Sequence, residues 1–204
     1  MTIQNVVNMA AAGELKNLAV KKDIEAVVSF INLGLIELYK RFPLSVKEHI
    51  IELEDNVEIY TMPSDFMWII AAYDEVPETS SEAVVIMPIN EEDNPLSLNT
   101  VSWNQVQVPL TLKGAYISVI YAASPPMFTV EELESTIPLP VQLLEALLHY
   151  IGYRAHNSVT GEVNAEHTTH YTRFEASCAR VEAGGMITVD DLSTYKKFGT
   201  RGFV

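Results

Sequence analysis

His149 and His156 lie seven residues apart and His167 and His170 three apart, so each pair can share one helical face, as bundle metal sites require. The rest of a metal signature is missing. Di-iron bundles take Glu-x-x-His from each of two helices, and the chain holds no such pair, no HExxH and, with a single cysteine, no thiolate cluster. His167 falls on the same predicted stripe as Phe174 and Cys178, where a hydrogen-bonded core histidine is expected. Cys178 could act as a nucleophile with a histidine base, but a mid-helix cysteine among apolar neighbours reads as inert core. The chain also lacks a GxSxG elbow, a Walker A loop and a GxGxxG after a strand. The residues therefore point to no catalytic site, no metal and no cofactor, and we expect a protein that is not an enzyme.

The elements that would position these side chains change character along the chain. In "DIEAVVSFINLGLIELYKRF" the apolar residues Ile24, Val27, Val28, Ile31, Leu35, Leu38, Tyr39 and Phe42 recur at helical spacing, with Asp23 as N-cap and Pro43 as terminator. A shorter helix precedes it, with Ile3, Val6, Val7 and Ala10 on one side and an end near Gly13. The middle shifts to strand signals. "HIIELEDNVEIYTMP" reads as a hairpin about Glu54-Asp55-Asn56, and "AVVIMPI", "NQVQVPL" and "AYISVIYAA" read as strands. "PSDFMWIIAAYDE" fits a helix or a strand, and "NEEDNPLSLN" is a loop. Helices return in "TIPLPVQLLEALLHYIGYRAHNS", where Gln142, Glu145, His149 and His156 form a narrow polar stripe and the rest is apolar apart from Gly152 and the terminal Arg154, so this helix is expected at the centre of a bundle. The last helix, "EVNAEHTTHYTRFEASCARVEA", places Val163, His167, Tyr171, Phe174, Cys178 and Val181 on one face, and Gly184 and Gly185 close it. The predicted fold class is α+β. Residues 1–47 plus 124–185 form a helical bundle, 48–123 an inserted antiparallel β subdomain, and 186–204 an extended C-terminal arm.

Composition sets the setting. With 48% apolar and 20% charged residues over 204 positions, the chain has ordinary globular composition and length for a sizeable core. One cysteine fits a reducing compartment, the N-terminus lacks a signal-peptide pattern, and the longest apolar run, near "FMWIIAAY", is shorter than the roughly 20 residues a bilayer helix needs. A soluble, cytoplasmic protein without a membrane role is expected. The net charge of −14 is concentrated: residues 51–110 carry twelve acids and no Lys or Arg. Such a region argues against nucleic-acid binding, whose phosphate contacts need cationic side chains, and reads as a solubilising face or a surface that repels something anionic. The end of the chain is the reverse, the basic aromatic strip "YKKFGTRGFV".

Three stretches together resemble the head-to-tail adaptors of short-tailed bacteriophages, also called tail tubular or head-completion connectors: "DIEAVVSFINLGLIELYKRFP", "IPLPVQLLEALLHYIGYRAHNS" with "HYTRFEASCARV", and "KKFGTRGFV". The resemblance covers somewhat under half the chain and includes none of the acidic β region. It implies a virion protein of the tail or neck, present in the host cytoplasm during assembly. Such a protein forms a homo-oligomeric ring, typically of twelve copies, against the portal protein, extends the DNA channel and docks the tail or nozzle protein. On that reading the arm binds another chain through Tyr195, Lys196, Lys197, Phe198, Arg201 and Phe203. Glu52, Glu54, Asp55, Glu58, Glu91, Glu92 and Asp93 would line the channel, so that DNA passes without specific binding. Two alternatives stand beside it: a head-completion or connector protein of a long-tailed phage, and a helical-bundle enzyme or ligand-binding protein with His149, His156 or Cys178 lining a pocket.

Overall fold

The computed structural model describes residues 1–75, 85–112, 116–160, 165–185 and 187. They fall into two compact units, a helical unit from Met1–Leu44 and Pro125–Ile187 and a β unit from Ser45–Ser124. The fold class is α+β, with helices and antiparallel sheets as the sequence pattern predicts.

The helical unit opens with α1 (Ile3–Ala12), where the Thr2 hydroxyl accepts from the Asn5 N–H. Its four predicted core residues, Ile3, Val6, Val7 and Ala10, are all buried. Gly13 ends it, donating its N–H to Met9 O at 2.9 Å, and a 3-10 turn at Ala19–Lys22 leads to Asp23, whose carboxylate accepts from Ala26 N at 3.0 Å. That cap starts α2 (Ile24–Arg41), which Pro43 terminates. α3 (Leu144–Thr160) packs against α1, α2 and α4 (Ala165–Ala183), the central place its apolar surround predicts. α2 approaches α3 closely at Gly34, where a Cβ would come within 2.6 Å of Leu147 Cδ1 and 3.1 Å of Tyr150 Cδ1. α4 closes on Gly185, whose φ of +58° suits glycine.

One helix face needs correction. Tyr171, expected in the core stripe of α4, is 43% exposed, and the inward side is taken by His170, Phe174, Ser177, Cys178 and Val181. Val163 and the side chain of His167 lie outside the described residues. The sequence pattern on α2 also omits Asn32, which is buried and donates from Nδ2 to Phe128 O at 2.8 Å while its Oδ1 accepts from Phe128 N at 3.0 Å. Both polar groups of the side chain are thereby satisfied, which is the condition for burying it. With the Tyr39 hydroxyl donating to Pro138 O at 2.9 Å, it pins the 125–143 connection to α2.

Among its described residues the β unit holds seven strands: β1 (Val46–Glu52), β2 (Ile59–Thr61), β3 (Phe66–Glu75), β4 (Val85–Ile86), β5 (Asn99–Ser102), β6 (Gln105–Gln107) and β7 (Tyr116–Ala123). They form two antiparallel sheets, ordered β1-β7-β3-β4 and β2-β6-β5. The predicted hairpin about Glu54-Asp55-Asn56 does not form. β1 pairs along its whole length with β7, Val46 opposite Ala122 and Glu52 opposite Tyr116, while β2 pairs with β6. The turn signal is real, with Asn56 at φ +62°, but it carries the chain from one sheet to the other. Seven residues in continuous register with β7 outweigh what the three-residue β2 could offer β1. The ambiguous "PSDFMWIIAAYDE" stretch is strand β3, and β5 is a further strand the pattern did not reveal. Ile51, Phe66, Leu98, Val106, Ile117, Val119 and Tyr121 form the core of this unit.

Candidate functional site

The arm residues Tyr195, Lys196, Lys197, Phe198, Arg201 and Phe203 lie outside the described residues. The acidic residues are in view. Glu52, Glu54, Asp55, Glu58, Glu91, Glu92 and Asp93 are all exposed, at the ends of β1 and β2 and in the loop between β4 and β5. Local hydrogen bonds shape those loops. Asn90, at φ +52°, accepts from Thr100 N at 2.7 Å through Oδ1, the Ser97 hydroxyl accepts from Glu91 N at 3.0 Å, and Glu91 itself takes Asn94 Nδ2 at 2.9 Å. None of the seven forms an ion pair with another described residue. Solvated, unneutralised carboxylates of one sign give the surface a negative potential that acts on approaching phosphates out to about a Debye length, roughly 8 Å at physiological salt.

The same unit presents apolar side chains to solvent. Trp103 is 70% exposed in the turn between β5 and β6, and Ile59 and Leu110 are exposed as well. On the helical unit Met127 and Val141 are exposed. Side chains of this size left in water are the kind that anchor protein interfaces. Sequence pattern alone gives no sign of this, because an exposed tryptophan and a buried one look identical in a strand-rich stretch.

The histidines come together in a combination that their spacing does not suggest. Glu14, in the turn after α1, faces His149 of α3 and His170 of α4, with Glu14 Oε1 3.3 Å from His149 Nδ1 and Glu14 Oε2 2.9 Å from His170 Nδ1. Side-chain exposure is only 21% for Glu14 and 12% for each histidine. Although these are ion-pair distances, neither imidazole is aligned for a hydrogen bond, so both Nδ1 atoms are buried without such a partner. Burial pushes the His170 imidazole below the ordinary histidine value against the upward pull of Glu14, and His156, Arg173 and His149 add to the lowering. The His156 ring stacks on His170 at 4.8 Å. A cleft of about 540 Å³, lined by Gly13, Glu14, His156, Thr169, His170 and Arg173 among others, reaches the cluster.

Cys178 is apart from this chemistry. It is fully buried, and burial raises its thiol to about 11, so at neutral pH it stays protonated and unreactive. Among the described residues no helix is long and apolar enough to cross a membrane.

Comparison with known proteins adds one strong finding. The family model described as SU10 adaptor protein matches residues 1–193. No curated protein matches. Among solved structures, the chain is similar to one described as the neck of an empty GTA particle computed with C6 symmetry. The identity is 12%, 78% of this chain and 80% of that chain are covered, and the TM-score is 0.29, a likeness too weak to carry an argument.

Proposed function

The chain belongs to the SU10 adaptor protein family, and we propose that it works as a structural head-to-tail adaptor in the neck of a short-tailed phage particle. It assembles there as a homo-oligomeric ring, a dodecamer, under the portal protein, extends the DNA channel and docks the tail or nozzle protein. The observation that carries this reading is the family match over nearly the whole chain.

The physical features agree with it. A ring grows by head-to-tail contacts, so each subunit needs two different complementary surfaces, and exposed Trp103, Met127 and Val141 are apolar anchors available for them. The acids Glu52, Glu54, Asp55, Glu58, Glu91, Glu92 and Asp93 are exposed and form no ion pair with another described residue, in keeping with a channel wall that lets duplex DNA slide. The arm, residues 186–204, supplies Tyr195, Phe198 and Phe203 as apolar anchors and Lys196, Lys197 and Arg201 as partners for carboxylates on the acceptor. Its partner is a portal subunit or a neighbouring copy, and its ordering cost falls due on assembly. The protein resides in the host cytoplasm until assembly and in the virion afterwards.

The test is to mix the full chain and a chain ending at residue 185 with portal rings, then measure mass and image the particles. We expect rings on the portal with the full chain and none with the shortened one. Rings formed equally well without the arm would overturn the arm assignment, and no association with portal in either case would overturn the placement.

A further inference from the structure

We propose that Glu14, His149 and His170 bind one divalent transition-metal ion, with zinc the best fit, and that the ion ties the turn after α1 to helices α3 and α4. One ligand atom from each residue lies within 4.8 Å of the others, and the Glu14 carboxylate stands between the two imidazoles, Oε1 3.3 Å from His149 Nδ1 and Oε2 2.9 Å from His170 Nδ1. Tetrahedral zinc with bonds of about 2.0–2.2 Å to nitrogen and oxygen sets neighbouring ligand atoms roughly 3.3 Å apart. Each imidazole is therefore already near coordination distance of one carboxylate oxygen, and the three ligand atoms, all within 4.8 Å, close onto an ion by drawing together. Two imidazoles and a carboxylate select zinc and its transition-metal neighbours over calcium or magnesium, which prefer all-oxygen sets. Three protein ligands leave a fourth position for water, and the adjoining cleft gives an ion a way in.

Two further observations separate this from an ordinary ion pair. The first is that both facing Nδ1 atoms are buried and lack an aligned hydrogen bond. A carboxylate simply paired with charged imidazoles would draw their N–H bonds onto its oxygens. The second is Gly152, in the middle of α3 between His149 and His156. A Cβ there would stand 2.9 Å from His170 Nδ1 and 3.2 Å from Glu14 Cβ. Glycine weakens a helix interior, and here it leaves open the volume into which Glu14 and His170 converge. Lys16 and Arg173 also line the cleft and oppose a cation, so binding depends on the Glu14 charge.

The experiment uses the full, untagged chain, stripped with chelator and titrated with zinc, with bound metal measured after dialysis and cobalt(II) as a spectroscopic probe. We expect one equivalent of zinc, tetrahedral d–d bands with cobalt and a thermal midpoint that rises with zinc concentration. His149→Gln, His170→Gln and Glu14→Gln should each weaken binding at least about 100-fold, since loss of even an outer-shell partner typically costs 10–100-fold. Gly152→Ala should also weaken it, by crowding His170. His49→Gln, in the β unit, should change nothing. Absence of cobalt d–d bands and of bound zinc in the wild-type chain overturns the site, whatever the variants do. Equal binding by a His170→Gln chain that folds normally by circular dichroism also overturns it.

Discussion

In the helical unit the charged groups meet one another. Arg41 forks onto Glu182 at 2.6 and 2.8 Å and reaches Glu175 at 2.7 Å, Arg180 holds Glu145 at 3.0 Å, and Glu14 faces two histidines. In the β unit, Ser45–Ser124, thirteen acids stand against two lysines, and of these Lys47 is engaged by Asp65. Seven of those acids have no ionic partner among the described residues and face water. Charge thus acts within the first unit as a constraint between helices, whereas in the second it is displayed outward and adds little to the fold. Substitutions should therefore act on stability in one place and on the surface potential in the other.

The sharpest way to test that contrast is in the core, which should dominate stability. Leu147 is fully buried where α3 passes Gly34 of α2. Leu147→Ala should cost about 2–5 kcal/mol, read as a lower urea midpoint. A smaller effect belongs to a charge network of the β unit, where the Tyr121 hydroxyl donates to Asp65 at 3.0 Å and Lys47 binds the same carboxylate. Burial alone would raise the Asp65 carboxyl, but the bonds from Lys47 and Tyr121 overcome it and hold the group below the ordinary value. Burial and Asp65 push the Tyr121 phenol up to about 12. A depressed carboxyl favours the folded state above its unfolded value near 3.9, and the contribution is lost as pH falls below that. Tyr121→Phe should cost about 1 kcal/mol at pH 7. The loss should shrink in acid unfolding curves below pH 4. The smallest change is expected on the displayed acids. Glu91→Gln with Glu92→Gln and Asp93→Asn should move stability by less than about 0.5 kcal/mol, while retention of duplex DNA at low salt increases. A large stability loss there would erase the distinction between the units.

The helices were legible because their evidence is local. Asp23 before an apolar 3.6-residue period, Pro43 after it and the glycines after α4 each act within a turn or two. β3 was not, because bulges between Phe66 and Trp68 and between Ile69 and Ala71 shift its register against β7. Each shift reverses the alternation of faces, so the stretch loses the period that identifies a strand. The hairpin was misread for the opposite reason: Asn56 does turn the chain, but a turn residue records only its own dihedral angles and not which strand is waiting. Asn32 was hidden in an apolar helix face, since its partner Phe128 lies 96 residues away.

The order of amino acids by itself determined the α+β class, the helix caps and the concentration of acids in the β region, all of which follow from neighbours in sequence or from simple counting. Only the folded chain decided that β1 belongs with β7, that Tyr171 turns outward and that Glu14, His149 and His170 converge. Those outcomes depend on contacts between segments far apart in the chain, whose energies are settled jointly when the core closes and leave no periodic trace in any one of them.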